Sequence, residues 1–508
     1  MQKNYYAVID IGSNTMRLVI YSQIKTGRLH EVENVKSVAR LRNYLDAGNE
    51  LTEEGIHKML STLKSFKEVI EIYSLSQLSV VATATIRQAT NKEEIKRIVQ
   101  EKLGWEMRIL SEKEEAYYGY LSVVNSTSIA EGITVDIGGG STEVTYFKDR
   151  VIRHSHSFPF GALTLKSFFT EYQGEKAVSK LRKFLTEQFN SLDWLKERHV
   201  ALIGIGGSAR NLAQIDQSMK DYPLAGLHQY QMNNKDIAQV LNQLSPLSKA
   251  ELEKVDGLST DRADTIVPAI TVFLTLYETI SATGFILSRK GLRDGVFYEK
   301  LTQDLDNRLY PNVLQDSIEE LMHQYNLDEK HNQYMQFLTR KVFNGFKEKE
   351  LGSLSESDWM LLERACCVYN LGEYIDSESS AQHTFYLLAN RTIDGLMHID
   401  RLKLALLASF KSKNIFKQFI LPYEDWFSKE EKDKLSLLGA ILKFSYCLDA
   451  TKRQVVVDLD VETKGKQMEV TIYCNKDYKP EEYQATKQKK HIEKALNKNL
   501  VLQFQAID

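Results

Sequence analysis

The chain has 508 residues, of which 43% are hydrophobic and 26% charged, and its formal net charge is -3. This length is typical of about three to four globular domains, and the near-neutral charge argues against a general nucleic-acid binder. The four cysteines lack metal-ligand or redox spacing, and neither a signal-peptide pattern nor a membrane-spanning apolar run is evident, so we expect a cytoplasmic protein.

Alternating strands and helices are predicted for the first 110 residues. Apolar, β-rich segments at residues 5–11 and 16–21 flank a tight turn, and a further strand is expected within residues 29–39. A helix begins near Thr52, a good N-cap that precedes two glutamates. Residues 78–82 and 107–110 are expected to form strands, and a helix should follow Asn91 between them.

The most informative feature is an internal repeat. A strand ending at Asp10 leads into the turn Gly12-Ser13-Asn14-Thr15, and a strand ending at Asp136 leads into Gly138-Gly139-Gly140-Ser141-Thr142-Glu143. Each turn is followed by a second strand, so both copies predict an antiparallel hairpin that opens an α/β domain. The second copy continues with a helix over residues 175–195 and a strand over 200–205 that runs into Gly206-Gly207-Ser208.

The remainder of the chain predicts a different architecture. Helical periodicity dominates residues 305–450. Strands at 455–462, 467–473 and 500–504 and a lysine-rich helix at 488–497 predict a small α+β module, with an exposed loop at 475–487. We therefore expect four domains, at residues 1–125, 126–303, 304–450 and 451–508.

The two Asp-Gly turns have the composition of phosphate-binding loops. Glycine lets backbone N–H groups approach an anion, small hydroxyl side chains add donors, and the aspartate can hold a divalent cation that neutralises phosphate charge. A single turn of this kind could be merely structural, but two copies in matching positions favour the functional interpretation.

Three further motifs are ambiguous alone. Arg87 follows a strand of small residues, where a guanidinium suits a phosphate but where surface arginines are also common. Ser111 and Glu114 fit a capping box, which leaves Glu115 either as a general base or as a complement to the helix dipole. Gly206-Gly207-Ser208 could bind an anion or simply turn the chain from strand to helix.

Together these motifs resemble the exopolyphosphatase and guanosine-pentaphosphate phosphatase family, within the group of actin-like and sugar-kinase ATPases. Arg262-Ala263-Asp264 and Leu292-Arg293-Asp294-Gly295 are similar to later segments of that family. The resemblance covers nearly the whole chain. It implies two α/β domains with a duplicated ribonuclease-H-like, actin-like fold, then an all-α HD-like domain and a small α+β C-terminal domain.

The resemblance also implies roles for individual residues. Glu115 would be the catalytic base, assisted by Arg87 and Glu143, and Mg²⁺ or another divalent cation would be held by Asp10, Asp136 and Glu143. The substrate would be inorganic polyphosphate or guanosine pentaphosphate, and the family suggests a homodimer. The phosphate-binding residues would be Gly12, Ser13, Asn14, Thr15, Gly138, Gly139, Gly140, Ser141, Thr142, Gly207 and Ser208.

The sequence departs from the family pattern at three places. Glu112 replaces a glycine before the paired glutamates, Ser379 and Ser380 stand where histidines are frequent, and Asp294 replaces a glutamate. The missing histidines favour a helical domain that acts as a scaffold. Hydrolysis of polyphosphate is our leading hypothesis, guanosine pentaphosphate is the close alternative, and a sugar kinase or a non-catalytic sensor remains as a further possibility.

Overall fold

A computed structural model describes residues 4–23, 29–172, 174–349, 354–465 and 467–507. Contacts divide the chain into two compact units. The first comprises Met1–Tyr222 with Leu227–Val313, and the second comprises Pro223–Gly226 with Leu314–Asp508. This boundary lies close to the predicted end of the second α/β domain, and the four-domain division itself stays a prediction.

The first unit alternates strands and helices. Its elements are β1 (Tyr5–Ile11), β2 (Thr15–Gln23), β3 (Leu29–Val38), α1 (Glu53–Ile70), β4 (Leu75–Ala82), α2 (Ala84–Gln88), α3 (Lys92–Leu103), β5 (Met107–Ile109), α4 (Glu112–Val124), β6 (Gly132–Ile137), β7 (Thr142–Lys148), β8 (Val151–Phe158), α5 (Ala162–Leu165), α6 (Ser167–Glu171), α7 (Gly174–Asn190), β9 (Ala201–Ile205), α8 (Gly206–Met219), β10 (Gln231–Met232), α9 (Asn234–Leu244), α10 (Lys249–Leu252), α11 (Ile266–Thr279), β11 (Phe285–Leu287) and α12 (Leu292–Leu301).

The two sheets of this unit share one topology, which confirms the predicted duplication. The first sheet has the order β3-β2-β1-β4-β5, and the second has β8-β7-β6-β9-β11 with β10 added at its edge. Each begins with an antiparallel hairpin and continues through parallel neighbours. Asp10 pairs in register with Arg17, and Asp136 pairs at the equivalent position with Glu143.

Helices on both faces of the first sheet position the elements that matter for function. Buried residues of α1 and α3, such as Met59 and Val99, pack on one face. On the other face, Val8 and Val19 of the sheet pack with Tyr118 of α4 and Phe297 of α12. The burial of these apolar side chains fixes α4 and α12 against the strands that end at the first glycine turn.

The second unit is helical with a short terminal sheet. The strands β12 (Val456–Lys464), β13 (Gln467–Cys474) and β14 (Asn499–Ala506) form one three-stranded sheet, with β13 in the centre. Its elements are α13 (Val313–Gln324), α14 (Glu329–Lys349), α15 (Glu356–Cys367), α16 (Ser380–Asn390), α17 (His398–Ala408), α18 (Lys413–Ile420), α19 (Lys429–Cys447), β12 (Val456–Lys464), β13 (Gln467–Cys474), α20 (Lys479–Gln488), α21 (Lys490–Leu496) and β14 (Asn499–Ala506).

One sequence prediction is wrong in this unit. Residues 475–487 were expected to form an exposed loop, but most of them belong to the helix α20. Pro480 lies in its first turn, where proline is tolerated, and glutamates follow it there. Glu481 is fully buried and accepts a hydrogen bond of 2.7 Å from Arg453, a long-range contact that the local polar composition does not reveal.

The structure also bears on membrane insertion. Among the residues described above, no helix combines the length and the apolar character needed to cross a bilayer.

Candidate active site

Two glycine turns with the same local geometry face each other in the first unit. The Gly12 N–H donates to the Thr15 carbonyl (3.1 Å), and the Gly138 N–H donates to the Ser141 carbonyl (2.9 Å). We call residues 10–15 loop 1 and residues 136–143 loop 2. A Cβ atom added to Gly139 would lie 3.5 Å from the Cβ of Ser13, so the two loops are in direct contact.

A cavity of about 450 Å³ opens between the loops. Its wall also includes backbone from the turn that opens α8, where Gly206 has φ of +80°, a conformation that favours glycine. The predicted site residues that line this cavity are Asp10, Gly12, Ser13, Asn14, Thr15, Glu115, Asp136, Gly138, Gly139, Ser141 and Gly207.

Other predicted site residues lie behind the wall, within the described part of the chain. Thr142 is fully buried and its hydroxyl donates to the Phe160 carbonyl (2.7 Å), while the hydroxyl of the buried Ser208 accepts from Arg262 (3.3 Å). Because both hydroxyls are used within the protein, these two residues hold the turns in shape and do not contact the cavity. Arg87, Gly140 and Glu143 are likewise outside the lining.

Glu115 is presented to the cavity by the first turn of α4. The predicted capping box is present: the Glu114 N–H donates to the Ser111 hydroxyl (3.3 Å), and the Ser111 N–H donates to the Glu114 carboxylate (2.8 Å). Glu114 therefore has a structural role, and the next residue is left to face the cavity.

Arg87 lies directly beside this carboxylate. Its Nη1 donates to Glu115 and to the Leu110 carbonyl (2.8 Å). The side chains of the pair are only 17% and 12% exposed, so water screens the interaction weakly. The Arg87 Nη2 lies 3.8 Å from Glu112 and is a buried nitrogen without a hydrogen-bond partner in the described chain.

Burial, with a smaller contribution from neighbouring carboxylates, raises the pKa values of three acidic side chains. Burial, then the negative charge of Asp10, raises the pKa of Asp136 to about 6. Burial raises the pKa of Glu143 to about 7, and Asp136 adds to this effect. Burial, then the charge of Glu143, raises the pKa of Glu115 to about 8 although Arg87 opposes the change. A carboxylate of this kind can accept a proton near neutral pH.

The acidic group has the donor chemistry for a hard divalent cation. Asp10, Asp136 and Glu143 offer only carboxylate oxygens, which Mg²⁺ prefers, and a cation would relieve their mutual repulsion. In the described chain no three such side chains converge as a complete metal cage. Because Mg²⁺ in proteins is usually bound by one or two carboxylates together with water and phosphate oxygens, the residues present fit it.

Basic side chains that the sequence analysis did not identify as ligands dominate the rest of the wall. We call five of them the inner arginine cluster, because their charges repel one another. Burial and this repulsion lower the pKa of Arg210 to about 10, and they lower the pKa of Arg17 as well. The inner arginine cluster consists of Arg17, Arg210, Arg262, Arg289 and Arg293.

The repeat carries a signal that would have identified one member of this cluster. Arg17 stands seven positions after Asp10, as Glu143 stands seven positions after Asp136, and each pair is in register across its hairpin. Alignment of the two copies therefore predicts that Arg17 lies beside loop 1 as Glu143 lies beside loop 2. The others come from distant segments whose convergence depends on tertiary structure.

Comparison with known proteins agrees with this architecture. The model described as the Ppx/GppA phosphatase family matches residues 19–304, and the model for Ppx/GppA phosphatase, domain III, matches residues 313–496. A Ppx/GppA family member from Aquifex aeolicus is similar at 27% identity and a TM-score of 0.54, over 60% of this chain and 99% of that chain.

A second solved structure has the same fold. An exopolyphosphatase from Cytophaga hutchinsonii is similar at 23% identity and a TM-score of 0.53, over 59% of this chain and 98% of that chain. With the family matches, which together extend over most of the sequence, the assignment is clear. The chain belongs to the Ppx/GppA phosphatase family and is a hydrolase that acts on phosphoanhydride bonds.

Proposed function

We propose that the protein is an exopolyphosphatase that releases orthophosphate from the end of inorganic polyphosphate. The observation that carries this proposal is a strongly basic cavity between two phosphate loops, with a carboxylate of raised pKa in its wall. The lining includes eight basic and five acidic side chains. Five lining arginines form no ion pair within 4.0 Å in the described chain, namely Arg17, Arg40, Arg42, Arg210 and Arg289.

The residues suggest an in-line hydrolysis. Backbone N–H groups and hydroxyls of loops 1 and 2 bind the terminal phosphoryl group, and Arg87, which is paired with Glu115, stabilises the charge on its oxygens. Glu115 takes a proton from the attacking water as the new P–O bond forms. The bond from the terminal phosphorus to the bridging oxygen breaks, and that oxygen leaves with the shortened chain.

A divalent cation completes the proposal, since enzymes of this family generally depend on one. Asp10, Asp136 and Glu143 would hold Mg²⁺, which supplies neutralisation of phosphate charge when bound. The Arg293 Nη1 donates to Asp10 at 2.8 Å, so a guanidinium balances the charge of this carboxylate.

Guanosine pentaphosphate is the alternative substrate, because it presents the same terminal phosphates. The spread of arginines along the wall favours a long polyanion: each unpaired guanidinium suits a phosphate, and one nucleotide would leave part of the inner arginine cluster unused. The two substrates are separated by experiment.

The test is phosphate release from long-chain polyphosphate with Mg²⁺, with guanosine pentaphosphate in parallel. We expect fast release from polyphosphate and a loss of about 10²-fold or more in Glu115→Gln, the range typical of a removed general base. Glu101→Gln, on the exposed face of α3, is the matched control and should behave like wild type. Release only from the nucleotide would establish the alternative, and binding without release would indicate a sensor.

We also propose the domain-level properties that the family resemblance implies. The described contacts separate residues 1–222 and 227–313 from the remainder, which supports a domain boundary near 303/304. Residues 304–450 would be an HD-like scaffold without a metal of its own, and residues 451–508 the C-terminal α+β domain. The protein would act as a cytoplasmic homodimer, which analytical ultracentrifugation and fractionation of the source cells would test.

A further inference from the structure

Arg42 approaches both phosphate loops from one short segment. It lies in the 3₁₀ helix Leu41–Tyr44, which follows β3. Its backbone N–H donates to the Ser13 carbonyl (3.3 Å), so the residue is anchored to loop 1. Its guanidinium lies against loop 2: a Cβ atom added to Gly140 would be 3.1 Å from Nη1 and 3.6 Å from Cζ.

The guanidinium is held in place by a neutral partner. The Arg42 Nη1 donates to the Gln88 side-chain oxygen at 3.0 Å, and Gln88 directly follows Arg87 on α2. Within the described chain no carboxylate lies within 4.0 Å of Arg42. A cation that is oriented by the protein but not neutralised by it is suited to an anionic ligand.

Arg42 is separate from the inner arginine cluster in its contacts. The arginines of the inner cluster repel one another and lie on the side of Asp10. Arg42 instead contacts Gln88, and the neighbouring Arg87 contacts Glu115. The end of a polyphosphate that reaches Glu115 would therefore meet Arg42.

We propose that Arg42 is a catalytic residue that binds the terminal phosphoryl group together with Arg87. Two guanidiniums on the transferred group would stabilise the charge that spreads over its oxygens as the bridging bond breaks. Arg42 thus deepens the proposed exopolyphosphatase function, on which its role in turnover rests.

The test compares kcat and KM for tripolyphosphate in wild type, Arg42→Gln and Arg42→Lys. Removal of one preorganised donor typically costs about 10²-fold in kcat, and we expect that loss for Arg42→Gln with KM changed less than about threefold. Arg42→Lys should recover part of the rate, because the charge remains while the planar fork is lost. The control is Arg97→Gln, an exposed arginine on α3 that pairs with Glu101.

A second measurement does not depend on turnover. Orthovanadate imitates the pentacoordinate phosphorus, and calorimetry should show it binding at least about tenfold more weakly to Arg42→Gln than to wild type, as the loss of one donor predicts. If wild type binds vanadate in this way but hydrolyses neither polyphosphate nor the nucleotide, the function is wrong and Arg42 remains a phosphoryl ligand. A variant that equals Arg97→Gln in kcat and vanadate binding, or a wild type that does not bind vanadate, overturns the assignment.

Discussion

Replacement of Asp136 by asparagine is expected to stabilise the metal-free protein at pH 8 while it abolishes phosphate release. Burial and the charge of Asp10 raise the pKa of Asp136 from 3.8 to about 6. The folded state binds the proton of Asp136 more tightly than the unfolded chain does. The contribution of this proton to the stability of the folded state is therefore complete below about pH 4 and is lost as the pH rises through 6. Asparagine is neutral throughout and avoids the decline.

The size of the effect follows from the two pKa values. A difference of about two corresponds to about 3 kcal/mol of unfolding free energy above pH 7. Asp136 lines an open cavity and is only partly buried, so water screens part of this penalty. We therefore expect Asp136→Asn to gain about 1–2 kcal/mol at pH 8, or a rise in Tm of a few degrees.

The assay is differential scanning calorimetry in EDTA at pH 5 and pH 8, because two compact units need not unfold in one transition. Asp256→Asn, on the exposed surface of the same unit, is the control for a simple change of net charge. A variant no more stable than wild type at pH 8, or a gain of equal size at both pH values, would refute the electrostatic argument.

Three further outcomes are expected. The value of kcat/KM should fall as the pH decreases through the raised pKa of Glu115, because the protonated acid cannot accept a proton. Glu143→Gln should move this fall in kcat/KM to lower pH, because the charge of Glu143 raises the pKa of Glu115. Arg293→Met should bind Mn²⁺ more tightly in calorimetry without substrate, since the guanidinium no longer neutralises a cation ligand; weaker binding would contradict the competition. Gly295→Ala should lower the free energy of unfolding by about 1–3 kcal/mol in denaturant titrations, because the added Cβ would lie 2.0 Å from a backbone oxygen of α4. The exposed Gly48→Ala is the control and should leave the free energy of unfolding unchanged.

Local motifs predicted the part of the site that is continuous in sequence. Asp10, Asp136 and the glycines of both loops could be identified because a turn between two strands has a short, recognisable composition. Glu115 could be separated from Glu114 because the capping box assigns only one of them a structural partner.

The remaining features depend on register and on distant contacts. Arg42 precedes no recognisable motif, and its proximity to Gly140 results from the way two sheets are brought together. Thr142 and Ser208 have suitable hydroxyls, yet both are buried by tertiary packing. The helix at 479–488 was missed for the same reason: Glu481 is stabilised by Arg453, a partner 28 residues away in sequence.

The matched hairpins have a consequence for how a uniform polymer is oriented. A cleft built from two copies of one motif would present equivalent walls to a ligand, and a polyphosphate chain, whose units are all alike, could then lie in either sense. The residue opposite the aspartate is Arg17 in one copy, where it lines the cavity, and Glu143 in the other, where it lies outside the lining, so the two loops are not equivalent in charge. Because the two loops differ in charge, the cleft can distinguish the two orientations of a polyphosphate chain, which are equivalent in the substrate itself.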